Sequence, residues 1–89
     1  MIAREITVRG KVQGVFFRAS AKVKADESGL CGWVKNDADD SVVMWVEGPE
    51  TEVLQIIEWC WRGPERARVK DVVVKVVEMQ HYKDFEVIR

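Results

Sequence analysis

The order of secondary-structure signals along the 89 residues predicts an α+β domain, with an antiparallel sheet carrying two helices on one face. Three observations support this expectation. Apolar and polar residues alternate over the first dozen positions, two stretches repeat apolar residues at helical spacing, and β-branched residues crowd the stretch from Val69 to Val77.

Each element follows in turn. Ile2, Ile6, Val8 and Val12 alternate with Arg4-Glu5, Thr7, Arg9 and Lys11, the pattern of a strand with one buried face. Phe17, Ala21 and Ala25 then recur at helical spacing, and Ser28-Gly29 supplies a stop, so the first helix spans Phe17 to Glu27. Leu30 to Lys35 and Val42 to Val46 form a hairpin around Asn36-Asp37-Ala38-Asp39-Asp40-Ser41. Pro49 at a first helical position, Glu50 and Glu52 in the first turn and Gly63-Pro64 at the end frame a second helix. Its expected buried stripe is Val53, Ile57 and Trp61, flanked by Leu54 and Ile56. Val69 to Val77 makes a fourth strand, and Phe85 to Ile88 a short fifth. The resulting βαββαβ order is that of ferredoxin-like sandwiches, a fold that hosts many unrelated activities.

Composition narrows the possibilities. A chain 47% hydrophobic and 33% charged fits one compact domain over residues 1–89, its density supplied by four tryptophans and the valine run. A formal net charge of −1 offers no field to attract nucleic acid. No apolar run approaches the ~20 residues of a membrane span, and the N-terminus lacks a signal-peptide layout, so a cytoplasmic location is expected. Cys31 and Cys60 are too few and too far apart for a zinc or C-x-x-C site; they read as free thiols that topology keeps at opposite ends of the fold. No metal or cofactor is expected. His81, the only histidine, falls between the last strands and reads as a surface-loop residue.

Topology locates the chemistry. A crossover connection joins parallel strands, so the end of strand one, the start of helix one and the end of strand two share an edge. Arg18 and Asn36 sit there. Gly10 and Gly14 permit a sharp turn, and a helix start presents free N–H groups with a positive dipole end, an anion cradle in outline. An arginine in a first helical turn opposes the dipole by about 0.3–1 kcal/mol, a placement that makes sense with an anion between them. Its planar fork also matches phosphate oxygens. Taken alone, each residue has a plainer reading: Arg18 in a surface ion pair, Asn36 as a turn former. The tryptophans read as packing residues, since no basic groove accompanies them.

Gly10-Lys11-Val12-Gln13-Gly14-Val15-Phe16-Phe17-Arg18, Gly29-Leu30, Gly32-Trp33-Val34-Lys35-Asn36, Val42 and Glu47-Gly48-Pro49-Glu50 together resemble the acylphosphatases over almost the whole chain. The resemblance implies hydrolysis of carboxyl-phosphate anhydrides without a metal. It also implies a phosphate loop over Gln13, Gly14, Val15, Phe16, Phe17 and Arg18, with Arg18 gripping phosphate and Asn36 orienting water. The partners implied are a small acyl phosphate and inorganic phosphate as product and inhibitor. The alternative is a non-catalytic ferredoxin-like interaction module. One departure stands out: Asp39-Asp40 occupies the hairpin position where the family usually has Asp-Gly. The turn therefore changes type or carries strain, and the orientation of Asp37, Asp39 and Asp40 toward the anion edge becomes a question for the structure.

Overall fold

A computed structural model describes residues 1–89. The elements run β1 (Ile2–Lys11), α1 (Phe17–Glu27), β2 (Cys31–Asn36), β3 (Val42–Gly48), α2 (Glu50–Arg62), β4 (Arg68–Val77) and β5 (Phe85–Ile88). The βαββαβ order, the first helix and the fifth strand lie where the sequence predicts. The sheet order is β4-β1-β3-β2-β5. The first four strands pair antiparallel, while β5 adds to β2 in parallel, making the sheet mixed.

One apolar cluster lies between the sheet and the helices. Ile6 and Val8 of β1, Val34 of β2, and Val42, Met44 and Val46 of β3 meet Phe17, Ala21 and Ala25 of α1 and Val53, Ile56 and Cys60 of α2. Phe17 and Trp59 link the helices with ring centroids 5.2 Å apart, a tilted contact worth about 0.5–1.5 kcal/mol beyond its area.

Three details of packing depart from the pattern. The α2 stripe is Val53-Ile56-Cys60; Ile57 is half-buried, and Leu54 and Trp61 are exposed. The helix is thus rotated toward its small cysteine, leaving no tryptophan fully buried. Pro49 caps α2 from outside, with φ −59° and ψ 143°, rather than opening it. The valines of β4 lie on an edge strand, so Val72 alone is buried while Val73, Val74 and Val76 face outward. Burial of Cys60 pushes its thiol pKa up to about 12, and both Cys31 and Cys60 are free.

The face opposite the helices carries a smaller cluster. Trp33 and Trp45 stack, Tyr82 meets Trp45 edge-on, and Trp33 Nε1 donates to the Tyr82 hydroxyl at 3.2 Å. Below them lies Glu47, 2% exposed. Its carboxylate accepts hydrogen bonds from Trp45 Nε1 and the Tyr82 N–H, each at 3.0 Å, and from the Gln80 N–H. Burial raises its pKa, but these donors outweigh that effect and hold it below the ordinary value. Exposed His81 lies in the segment so pinned.

Candidate active site

β1, β2 and β5 all point the same way, so their ends converge on one edge. The chain leaves β1 through Val12 to Phe16 and enters α1 at Phe17. Gly14, at φ 73°, and Phe16, at φ 65°, take left-handed conformations there. Gly14 fits because it has no Cβ. Phe16 holds the N-cap position with no side-chain cap, its ring exposed.

The backbone amides of this segment are unspent. No N–H from Gln13 to Ala19 donates to another protein group, and the first turn of α1 contains no acidic side chain. Uncapped amides at a helix start, backed by the dipole, form a site of positive potential. Gly14, Phe16, Phe17, Arg18 and Ala19 line a cavity of about 300 Å³ there, closed by Val12, Asn36, Val87 and Arg89. The fold thus brings Arg18 and Asn36 together in one pocket.

Arg18 makes one long contact, Nη1 to the Ile88 carbonyl at 3.4 Å, which leaves most of its donor fork free. Asn36 is the last residue of β2 and pairs through its backbone with Val42. Its Oδ1 is the one buried side-chain oxygen or nitrogen without a hydrogen-bond partner. A buried acceptor left empty costs about 1–3 kcal/mol, so it needs a donor from a ligand or a water.

The side chains of two members of the expected phosphate loop point away from this cavity. Gln13 directs Nε2 to the carbonyls of Asp37 and Ser41, both at 2.8 Å, tying the loop to the β2–β3 turn. Val15 is buried in the core. Neither lines the cavity. Gly10 also differs from expectation: its φ of 127° serves a bulge against β4, where a Cβ would lie 2.1 Å from the Arg68 carbonyl oxygen. The sequence reading missed Val87 and Arg89; the signal was available in β5, whose alternation sends Phe85, Val87 and Arg89 to one face.

The acidic turn does not confront the pocket. Asp37 Oδ1 accepts from the Ala38 N–H, Asp39 binds Ser41 and lies 3.4 Å from Arg9, and none of Asp37, Asp39 and Asp40 lines the cavity. The bonds from the Ser41 side chain and backbone, with a smaller contribution from Arg9, keep the Asp39 carboxyl below its ordinary pKa. Asp40 takes the positive φ of 72° expected of a glycine, so the turn keeps its shape and carries the strain.

The likeness to known proteins extends over almost the whole chain. A family model described as Acylphosphatase matches residues 4–87. A Pyrobaculum calidifontis protein named Acylphosphatase is 47% identical over 99% of this chain and 82% of its own. The crystal structure of acylphosphatase from Bacillus subtilis superposes over the whole of both chains with a TM-score of 0.96 at 33% identity. An acylphosphatase structure from Coxiella burnetii gives 0.94 at 40% identity, covering 98% of this chain and 92% of that one.

Proposed function

The chain belongs to the acylphosphatase family and is a hydrolase of acyl phosphates, and from that premise we propose that Arg18 and the amides of the 14–19 segment hold the phosphoryl group while Asn36 positions the attacking water. The observation that carries this is the convergence of unspent groups: residues bearing free amides, Arg18 with most of its fork free and Asn36 with its orphaned acceptor line one cavity.

These groups suit the reaction. Phosphoryl transfer from an acyl phosphate expels a carboxylate whose conjugate acid has a pKa of about 4, so departure needs little acid assistance. The remaining requirements are water in line and donors on the phosphoryl oxygens as the transition state forms. Oδ1 of Asn36 accepts a hydrogen bond from the water and so aims its lone pair at phosphorus. The P–O bond to the acyl oxygen breaks as the new P–O bond forms, and the water's proton passes to a phosphate oxygen. No protein base is required by this route.

No group of three or more His, Cys, Asp or Glu residues is placed to hold a metal, so the mechanism is drawn from protein donors alone. The same cradle receives inorganic phosphate as a competitive inhibitor. No helix is long and apolar enough to cross a membrane. Free thiols at Cys31 and Cys60 suit the reducing cytoplasm, which is the proposed location. The test is hydrolysis of benzoyl phosphate in excess EDTA. Full activity is expected, with phosphate inhibition relieved by more substrate; activity lost to EDTA and restored by a divalent ion would overturn the mechanism.

A further inference from the structure

A second group of cations lies on the other side of Gly14. Lys11, Arg66 and Arg68, with Glu65, Gly14 and Val15, line a separate open cavity; Gly14 also lines the Arg18 cavity, so the two share a wall. The only ion pairs in the molecule are Arg9–Asp39 and Lys22–Asp26. Lys11, Arg66 and Arg68 are therefore unpaired, even with Glu65 nearby, and all three are exposed.

The backbone creates this crowding. β1 and β4 pair regularly from Ala3–Val77 to Arg9–Asp71, and then the register shifts. Unshifted, the ladder would place Val69 opposite Lys11. The bulge places Arg68 there instead. Like charges directly opposite on antiparallel strands are destabilising, and bulges are devices that re-aim side chains beside active sites. The fold thus accepts a local repulsion in a chain whose net charge is −1, and an anion held between the two cations would relieve it.

We propose that Lys11, Arg66 and Arg68 form a second anion subsite, which receives a carboxylate or phosphate carried on the acyl portion of the substrate. This rests on the phosphoryl group lying in the Arg18 pocket. An acyl chain leaving that pocket over Gly14 meets no side chain at that residue, since even an added Cβ there would have no neighbour within 4 Å. The ligand class is then a doubly anionic acyl phosphate, with one anionic group on each side of the loop.

Binding of non-hydrolysable probes tests this without turnover. Affinities of methylphosphonate, of a series of alkane diphosphonates and of a series of phosphonoalkanoates of increasing chain length would be measured by calorimetry on the whole protein. At least one chain length in one series should bind tighter than methylphosphonate, and the series with the larger gain identifies phosphate or carboxylate as the second group. Each exposed cation contributes up to about fivefold. The Lys11→Gln/Arg66→Gln double variant should therefore lose up to about 25-fold of that gain while methylphosphonate binding is unchanged. Lys11→Gln should also keep or raise the thermal midpoint, because it relieves the repulsion with Arg68. Two-anion probes that bind no tighter than methylphosphonate, or a gain that survives the double substitution, would overturn the subsite. Methylphosphonate binding indifferent to Arg18→Ala would instead overturn the phosphate pocket.

Discussion

Replacing Asn36 by alanine should separate catalysis from stability more cleanly than any other change in this molecule. The side chain removed makes no hydrogen bond within the protein, since its buried Oδ1 has no partner. Backbone pairing of Asn36 with Val42 survives the change, and Gln13 still grips the Asp37 and Ser41 carbonyls that shape the turn. Folding stability should therefore fall by no more than about 0.5 kcal/mol, and removal of the empty buried acceptor can raise it by up to about 1–3 kcal/mol. Turnover should behave differently. Losing one oriented group that acts in the transition state costs on the order of 10²–10³ in rate, or about 2.7–4 kcal/mol. The inhibition constant of phosphate should stay nearly constant, because the Arg18 fork and the amides remain. Arg18→Ala should by contrast weaken phosphate binding by about tenfold or more, as expected for loss of hydrogen bonds to a charged group, and reduce kcat as well. The assay is benzoyl phosphate hydrolysis with kcat and phosphate Ki measured for both variants, alongside urea unfolding. An Asn36→Ala protein that is folded and turns over normally would refute the water-positioning role.

Two further outcomes concern stability. The folded-state pKa of Glu47 lies below its ordinary value of 4.5, so its contribution is fully present above that pH and is lost as the pH falls through the folded value. Glu47→Gln should therefore be less stable near neutrality, yet lose less further stability than the parent between about pH 4.5 and 2 in urea titrations; parallel acid limbs would disprove this. Asp40 holds a positive φ without glycine's freedom, so Asp40→Gly should stabilise by up to about 1 kcal/mol in the same assay, and destabilisation would show that the turn is not strained.

The elements were legible in the sequence where local chemistry decides them. The Phe17-Ala21-Ala25 spacing defined α1, and the Asn36–Ser41 turn residues located the hairpin. Arg18 and Asn36 could be placed at one edge because a crossover connection joins parallel strands. What remained hidden depends on tertiary register. The outward β4 valines have strand propensity, but whether a strand is central or at an edge is settled by its neighbours. Gln13 reads as part of the cradle because it sits in the loop; its bonds to a turn some two dozen residues away appear only when β1 pairs with β3 and so brings the β2–β3 turn beside the loop. Arg89 was missed for the same reason, since β5 reaches the site through its parallel pairing with β2.

That convergence of three strand ends has a kinetic consequence. Ala3 pairs with Val77, and Asn36 and Val87 meet across one cavity, so almost the entire contour of the chain must be looped into place before the site exists. Only a stretch running from Val12 to Arg89 carries every residue that lines it. Loop closure of this kind slows folding, and partly folded species would have strands and helices but no pocket. Regain of hydrolysis after dilution from denaturant therefore times the arrival of the last strand, making the enzyme's own reaction a clock for the completion of its fold.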